Sequence, residues 1–445
     1  MALPPAPTLP PPLQTLRLMA RPIPLLEAAR REIGDSFTIR AVPVQTMVFV
    51  SDAASIKAVF AADRVNTIAP GRNLILAPLL GPESLLLIEG ERHLQRRRLM
   101  LPPFHGDRMR AYEQVIEEAT EREIERWPTG SPFPIHPSMQ EVTLDVIMRA
   151  VFGVGGDRRE ELRRALLDIL AATRSPATIG VMVRGVRNLP RFKRVERQVE
   201  VADALLATEI AQHRADPGLE QRDDILSLLI SARDEEGEGM SDSELRDQLM
   251  TLLLAGHETT ATGLAWAFEL LLHHPEALER LRAEVDADGG GEYMEAVIEE
   301  TLRLRPVIPF VGRLLKAPMT LDGYELPAGT NVFPSIYLAH TNPRIFPEPY
   351  SFRPERFLEG GGETYSWIPF GGGTRRCIGA AFAQLEMKVV LRTVLRTVDL
   401  RAVSPEPQPM IRRNVTLSPR DGTPVTMSRR TVPVATAPEG APSPT

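Results

Sequence analysis

The stretch Phe370-Gly371-Gly372-Gly373-Thr374-Arg375-Arg376-Cys377-Ile378-Gly379 holds the only cysteine among 445 residues. A lone cysteine makes neither an internal disulfide nor a thiolate cluster, but it can offer one thiolate to one metal. Glycines on both sides let the backbone turn tightly and come close to a flat partner. Backbone N–H groups turned toward the sulfur, with two arginines beside it, would stabilise the thiolate. The plain alternative is a small buried apolar residue, the common fate of a free cysteine.

Upstream, Ser241 with Glu244 three residues on has the form of a helix-starting capping box. Apolar residues then run from Met250 to Ala255, as in a helix buried on most faces. The run ends in Ala255-Gly256-His257-Glu258-Thr259-Thr260. Gly256 and the threonines are poor helix formers, and a threonine hydroxyl can bond back to a preceding carbonyl. A carboxylate beside a hydroxyl can relay protons. The alternative is a helix with a few polar residues on its wet side. Glu300 and Arg303 share a helical face at i and i+3, a pairing that on a surface contributes little. His93 and Arg97 stand at i and i+4 in a basic segment that could equally face water.

Composition is that of a globular chain, 43% apolar and 25% charged. The formal charge of −6 argues against nucleic acid as a main partner. One cysteine suits a reducing compartment, hence the cytoplasm. No run of about 20 apolar residues predicts a membrane span, and the start lacks a secretory pattern. Residues 1–20 are proline-rich and predict an extended segment. The Pro/Ala/Ser/Thr-rich tail, 432–445, predicts disorder. The pattern predicts helices over 24–34, 52–62, most of 92–274, 276–287, 292–305 and from Gly379 to about Val398. Strands are predicted within 36–50 and 306–335, and a hairpin over 410–428 turning at Ser418–Gly422. Residues 65–90 read as a loop, yet an apolar one. The sum is a single domain, mainly α with small β-sheets.

The cysteine frame fits F-G-x-G-x-R-x-C-x-G at every fixed position and resembles the haem-binding loop of the cytochrome P-450 family, where haem iron takes a single axial thiolate. Ala255–Thr260 resembles the oxygen-activating part of that family's central helix. The resemblance covers about residues 30–428 and implies the cytochrome P-450 fold, with haem b between the central helix and the Cys377 loop. It implies Cys377 as the axial iron ligand and Phe370, Gly371 and Gly379 as the loop around it. Ala255 and Gly256 would lie on the distal haem face, with Glu258 and Thr259 as the proton-delivering pair. His93, Arg97, Arg313 and Arg375 would meet the haem propionates. Glu300, Arg303 and Arg356 (the last in Phe352-Arg353-Pro354-Glu355-Arg356-Phe357) would form a structural triad. The implied activity is insertion of one oxygen atom of dioxygen into a C–H or C=C bond.

Electrons would come from NAD(P)H through a ferredoxin or flavodoxin-type donor, docked on a basic face of Arg96, Arg98, Arg108, Arg110, Arg376, Lys388 and Arg392. The substrate wall would hold Leu76, Leu79, Leu80, Leu85, Val307, Ile308, Phe310, Thr416 and Leu417. Such a wall suits a fatty acid, terpenoid, steroid or macrolide-like molecule. Residues 175–190 would form an entrance lid, with Arg174, Arg184 and Arg187 near it, and the protein would be a monomer. The alternatives are a peroxide-driven or isomerase-type relative, and a haem-thiolate protein that binds without turnover.

Overall fold

The computed structural model describes residues 1–445 apart from 1–2, 43–44, 64–67, 71–76, 107, 154–156, 174–189, 288–290, 414 and 431–445. The lid segment, Leu76, Arg174, Arg184, Arg187 and the 432–445 tail therefore lie outside the described residues. The chain opens with two helices, α1 (Pro11–Ala20) and α2 (Pro22–Ile33). Residues 3–10 form no regular element, but the expected extended segment is corrected from Pro11 on: Pro11, Pro12 and Pro22 sit at the first helical positions, where a missing N–H costs nothing. Strands β1 (Ser36–Ala41) and β2 (Gln45–Val50) form an antiparallel pair, followed by α3 (Ala53–Ala62), whose N-cap is Asp52. Then come β3 (Ile68–Pro70), a single turn α4 (Ala77–Leu80), α5 (Gly90–Met100) and α6 (Arg108–Ile124). After the short β4 (Phe133–Pro134) the chain is helical through α7 (Ile135–Phe152), α8 (Asp157–Thr173), α9 (Pro190–Ala215) and α10 (Ile225–Ser231).

The 31-residue α11 (Asp242–Leu272) is the axis of the molecule. Both halves of the capping box at Ser241 and Glu244 are present. It packs along α7 and also touches α9, α12 (Pro275–Asp286) and α13 (Glu292–Leu304). Four short strands follow, β5 (Arg313–Leu315), β6 (Met319–Leu321), β7 (Tyr324–Leu326) and β8 (Asn331–Pro334), with Gly323 and Gly329 in left-handed turns. The chain continues through α14 (Ile336–His340), a turn α15 (Glu355–Leu358), the cysteine loop and α16 (Ala380–Thr397). It closes on β9 (Val398–Ala402), β10 (Met410–Arg413), β11 (Thr416–Pro419) and β12 (Pro424–Arg429).

The largest sheet has the order β1-β2-β8-β5-β3, with β2 and β8 parallel. The predicted hairpin at Ser418–Gly422 is not one. β11 pairs back to β10, while β12 leaves to pair with β9 and β4. The turn residues are right for a turn, but pairing is decided by which apolar face each strand can bury. The main core surrounds α11 and joins it to α7, α12, α13 and α16. Two smaller clusters lie on the sheet, one against α3, the other under α1 and α2.

Candidate active site

Gly371 and Gly373 both have φ of 67°, a left-handed conformation natural to glycine. A Cβ on Gly372 would stand 2.3 Å from the Phe60 ring, and one on Gly373 2.4 Å from Asp63 Oδ2. Two of the three loop glycines are thus required by α3 and its C-cap. The open side is at Gly379, where a Cβ would meet nothing within 4 Å, and at Gly371, where only Val311 lies at 3.9 Å. The Cys377 N–H donates to Phe370 C=O at 2.9 Å, and the sulfur receives the Gly379 N–H. Burial pushes the Cys377 thiol up, while the Gly379 N–H and the charges of Arg97 and Arg376 draw it back. The residue is deeply placed yet keeps accessible surface, so that surface opens into an internal space and not onto bulk water.

Positive groups converge beside this sulfur. Burial, then Arg375, Arg97 and Arg313, push His93 down to about 3, so its ring is neutral at pH 7. Burial and Arg313 bring Arg375 down to about 10. Burial likewise lowers Arg97, against the pull of Cys377. One buried carboxylate, Asp63, faces this group, and Arg313 grips it with Nε at 2.9 Å and Nη2 at 3.0 Å. The sequence reading missed Asp63, which lies 250 residues from its partner. Arg375 spends two donors on the carbonyls of Leu85 and Ile88.

In α11, Ala255 is exposed and Gly256 and Thr259 half-buried, inside a helix otherwise closed from Asp247 to Leu253 and from Thr260 to Leu271. The missing side chain of Gly256 faces α7, where a Cβ would touch Ile147 at 3.5 Å. Thr259 Oγ1 donates back to Ala255 C=O at 2.6 Å. Buried Glu258 turns to α7, where its Oε2 accepts from Gln140 Nε2 at 2.5 Å. Buried His257 packs on the same helix, with Thr143 Oγ1 3.1 Å from its Nδ1. Thr260 points to the opposite side and bonds Glu386 of α16, a carboxyl that burial raises well above its ordinary value. Gln140 and Glu386 carried no sequence signal, because each acts through a partner on another helix.

Glu300, Arg303 and Arg356 come together without solvent exposure to speak of. Arg303 binds Glu300 through Nε and Nη2 at 2.6 and 2.9 Å, and Arg356 Nε reaches Glu300 Oε1 at 3.0 Å. Arg303 also holds the carbonyls of His340 and Pro349 at 2.8 Å. Buried His340 gives its Nδ1 proton to Arg303 C=O and takes the Ile368 N–H on Nε2 at 2.8 Å. Burial, with the Arg303 charge, pushes this ring down to about 3, which keeps that tautomer neutral. His340, absent from the sequence reading, thus joins the triad to the residues leading into the cysteine loop.

Leu79, Leu80 and Leu85 are buried in the main core, and Val307 is half-buried against that core. Ile308 borders the α3 cluster. Leu417 is buried in the cluster of α1, α2 and the sheet, and Phe310 packs against it, edge-on to Phe49 at 5.2 Å. Buried Thr416 spends its hydroxyl on Arg413 C=O. The expected basic face is interleaved with acidic residues. Arg96 binds Glu244 at the start of α11, and Arg98, Lys388 and Arg392 face Glu235, Glu295 and Glu113. Among the described residues, Arg108 and Arg376 face solvent without a carboxylate partner.

A single thiolate, an open glycine edge and a crowd of mutually repelling cations are the donor set for a flat dianionic metal macrocycle, and the residues present fit haem. Fold and site together define a haem-thiolate protein. The chain belongs to the cytochrome P-450 family, whose model matches residues 4–425, and it is a monooxygenase of that family. It is 42% identical to a Mycobacterium tuberculosis protein named cytochrome P-450 135B1, over 95% of this chain and 90% of that one. It is also 42% identical to cytochrome P-450 137 of the same species, over 88% and 83%. The fold superposes on the retinoic acid-bound cyanobacterial CYP120A1 with a TM-score of 0.85 and 25% identity, covering 97% of this chain and 100% of that one. No helix among the described residues is long and apolar enough to cross a membrane.

Proposed function

We propose that the enzyme places one oxygen atom of dioxygen into a C–H or C=C bond of an elongated apolar molecule, of the fatty acid, terpenoid, steroid or macrolide-like kind. What supports this is chemistry: a wall built of Leu79, Leu80, Leu85, Val307 and Ile308 would be aliphatic and uncharged, and α11 is open at Ala255 and Thr259. Such a wall contributes about 25 cal/mol for each Å² of apolar surface it covers and offers nothing to a small polar solute. The similar cyanobacterial protein is bound to retinoic acid, which supports the same class here.

Haem b, when bound, supplies dioxygen binding and one-electron chemistry, with the thiolate donating electron density. Cys377 would hold its iron, Arg97 and Arg375 would neutralise its propionates, and neutral His93 and the Asp63-paired Arg313 would offer them hydrogen bonds. Glu258 and Thr259 move protons. Gln140 keeps Glu258 Oε2 on the α7 side, and a change of rotamer brings its proton to the Thr259 hydroxyl, whose own hydrogen must leave Ala255 C=O to be passed on. Glu300, Arg303 and Arg356 hold the cysteine loop through His340. Electrons originate in NAD(P)H and arrive from a separate ferredoxin or flavodoxin-type donor, whose acidic face meets Arg108 and Arg376. The protein works as a cytoplasmic monomer.

The test is the carbon monoxide spectrum of the dithionite-reduced protein, followed by titration with apolar and polar ligand panels. A strongly red-shifted Soret band and spin-state shifts with long apolar ligands are expected. An unshifted band, or responses to polar compounds alone, would overturn the reading.

A further inference from the structure

Residues 81–89, between α4 and α5, form turns that pair the Ser84, Leu87 and Ile88 N–H groups locally, but leave the Glu83 and Leu85 backbone groups in need of partners elsewhere. Side chains from one face of α11 provide them. Asp247 Oδ2 accepts the Glu83 N–H at 2.8 Å. Gln248 Oε1 accepts the Leu85 N–H at 2.9 Å, and its Nε2 donates to Glu83 C=O at 2.5 Å. The Thr251 hydroxyl donates to Asp247 C=O, so the Ser84 hydroxyl donates to it, over 2.7 Å. Gln248 is fully buried and Asp247 nearly so. Gly81 lies so close that a Cβ there would stand 2.1 Å from Asp247 Oδ1, and its φ is 81°. From the other side Arg375 takes the carbonyls of Leu85 and Ile88.

We propose that Gln248 and Asp247 are positioning residues that latch this loop to α11 and thereby set the enzyme's substrate range. The inference rests on the reading that Leu79, Leu80 and Leu85 line the substrate pocket. Gln248 holds its two backbone groups as a strand neighbour would, so it fixes the path of the loop whatever the loop's own side chains. The wall that Leu85 contributes is then in place before the substrate arrives. A preformed wall discriminates by shape, because a poorly fitting molecule must break the latch to enter. Arg375 couples this wall to the cation cluster beside Cys377, so the latch and the haem site share a residue.

The experiment compares the parent holoprotein with Gln248→Ala and Gln248→Glu. Glu keeps the acceptor for the Leu85 N–H and loses the donor to Glu83. Hydrogen exchange across 79–89 should quicken about tenfold in Gln248→Ala, with α11 unchanged and an intermediate result in Gln248→Glu. Spin-state titration with saturated fatty acids and terpenoids of graded length should show the best parental ligand weakened about tenfold and poor ligands gaining, so the spread of affinities narrows. Unchanged exchange in 79–89 would overturn the latch. Faster exchange with the same ranking and spread would overturn its role in selectivity. Should Gln248→Ala lose haem, Gln248→Glu carries both readouts. If the parent shows no thiolate-haem spectrum, the functional reading fails, while the exchange comparison still decides whether the loop is latched.

Discussion

Thr259 and Thr260 are neighbours with opposite duties. Thr259 sits on the open face of α11, and its hydroxyl is held by Ala255 C=O at 2.6 Å. That bond is local and cheap to exchange, worth about 1 kcal/mol net, so the hydroxyl can be re-aimed. Thr259→Ala should retain haem and the spin-state response to substrate, yet lose about tenfold or more in product formed per electron pair, the remainder appearing as peroxide. Unchanged coupling between reductant consumed and product would remove Thr259 from proton delivery. Thr260 instead bonds Glu386, whose Oε1 has no hydrogen-bond partner and whose carboxyl burial raises well above 4.5. A carboxyl raised in the native state keeps its proton where the unfolded chain has lost it. Its effect on stability is therefore nil below the unfolded value and grows more unfavourable as pH rises toward the folded one, by about 1.4 kcal/mol for each unit of difference. Glu386→Gln removes that penalty. Its melting temperature should match the parent near pH 4.5 and exceed it at pH 7. A parallel pair of pH–stability curves would show that Glu386 is ionised in the native protein.

At the scale of elements, the triad is a device for holding a loop that has little structure of its own. Glu300 is shared by two buried guanidiniums and by the Arg353 N–H. Glu300→Gln leaves two buried cations short of a counter-charge, a loss of about 3–5 kcal/mol. Because His340 passes the restraint to Ile368, the cysteine loop should loosen with it. Haem content, read as the Soret-to-protein absorbance ratio, should fall at least severalfold. A fully loaded Glu300→Gln with only a lowered melting temperature would confine the triad to global stability. Short-range patterns made much of this visible in sequence: the i, i+3 spacing of Glu300 and Arg303, the capping box of α11, the ten residues around Cys377. What was not visible depends on contacts far apart in the chain. Asp63, Gln140, His340 and Glu386 act through partners on other elements, and nothing local marks them. The β11–β12 turn was read as a hairpin because turn chemistry is local while strand pairing is not. The helix α1 escapes the sequence because a proline-rich stretch reads as extended, although proline at a first helical turn is accepted.

At the scale of the whole molecule, an acidic chain of charge −6 brings three arginines and a histidine together at one internal place. Arg97, Arg313 and Arg375, with His93 held neutral among them, repel one another in a setting that water screens poorly. Asp63 offsets one of these charges. The fold therefore stores an electrostatic cost that a bound dianion would relieve. Haem present at a thousandfold over its dissociation constant would add about 4 kcal/mol of stability by mass action alone. Two results should follow from removing it. The melting temperature should drop by several degrees, and the stripped protein should become more stable as sodium chloride rises from about 10 mM to 0.5 M, since the screening length shrinks from about 30 Å to a few Å. The loaded protein, its cations already neutralised, should respond much less over the same range. Calorimetry of both forms across that salt series separates this account from simple loss of packing, which would lower the melting temperature equally at every ionic strength. An identical salt response in the two forms would mean that the cluster is already neutralised within the protein, and the propionate assignment of Arg97 and Arg375 would fall with it.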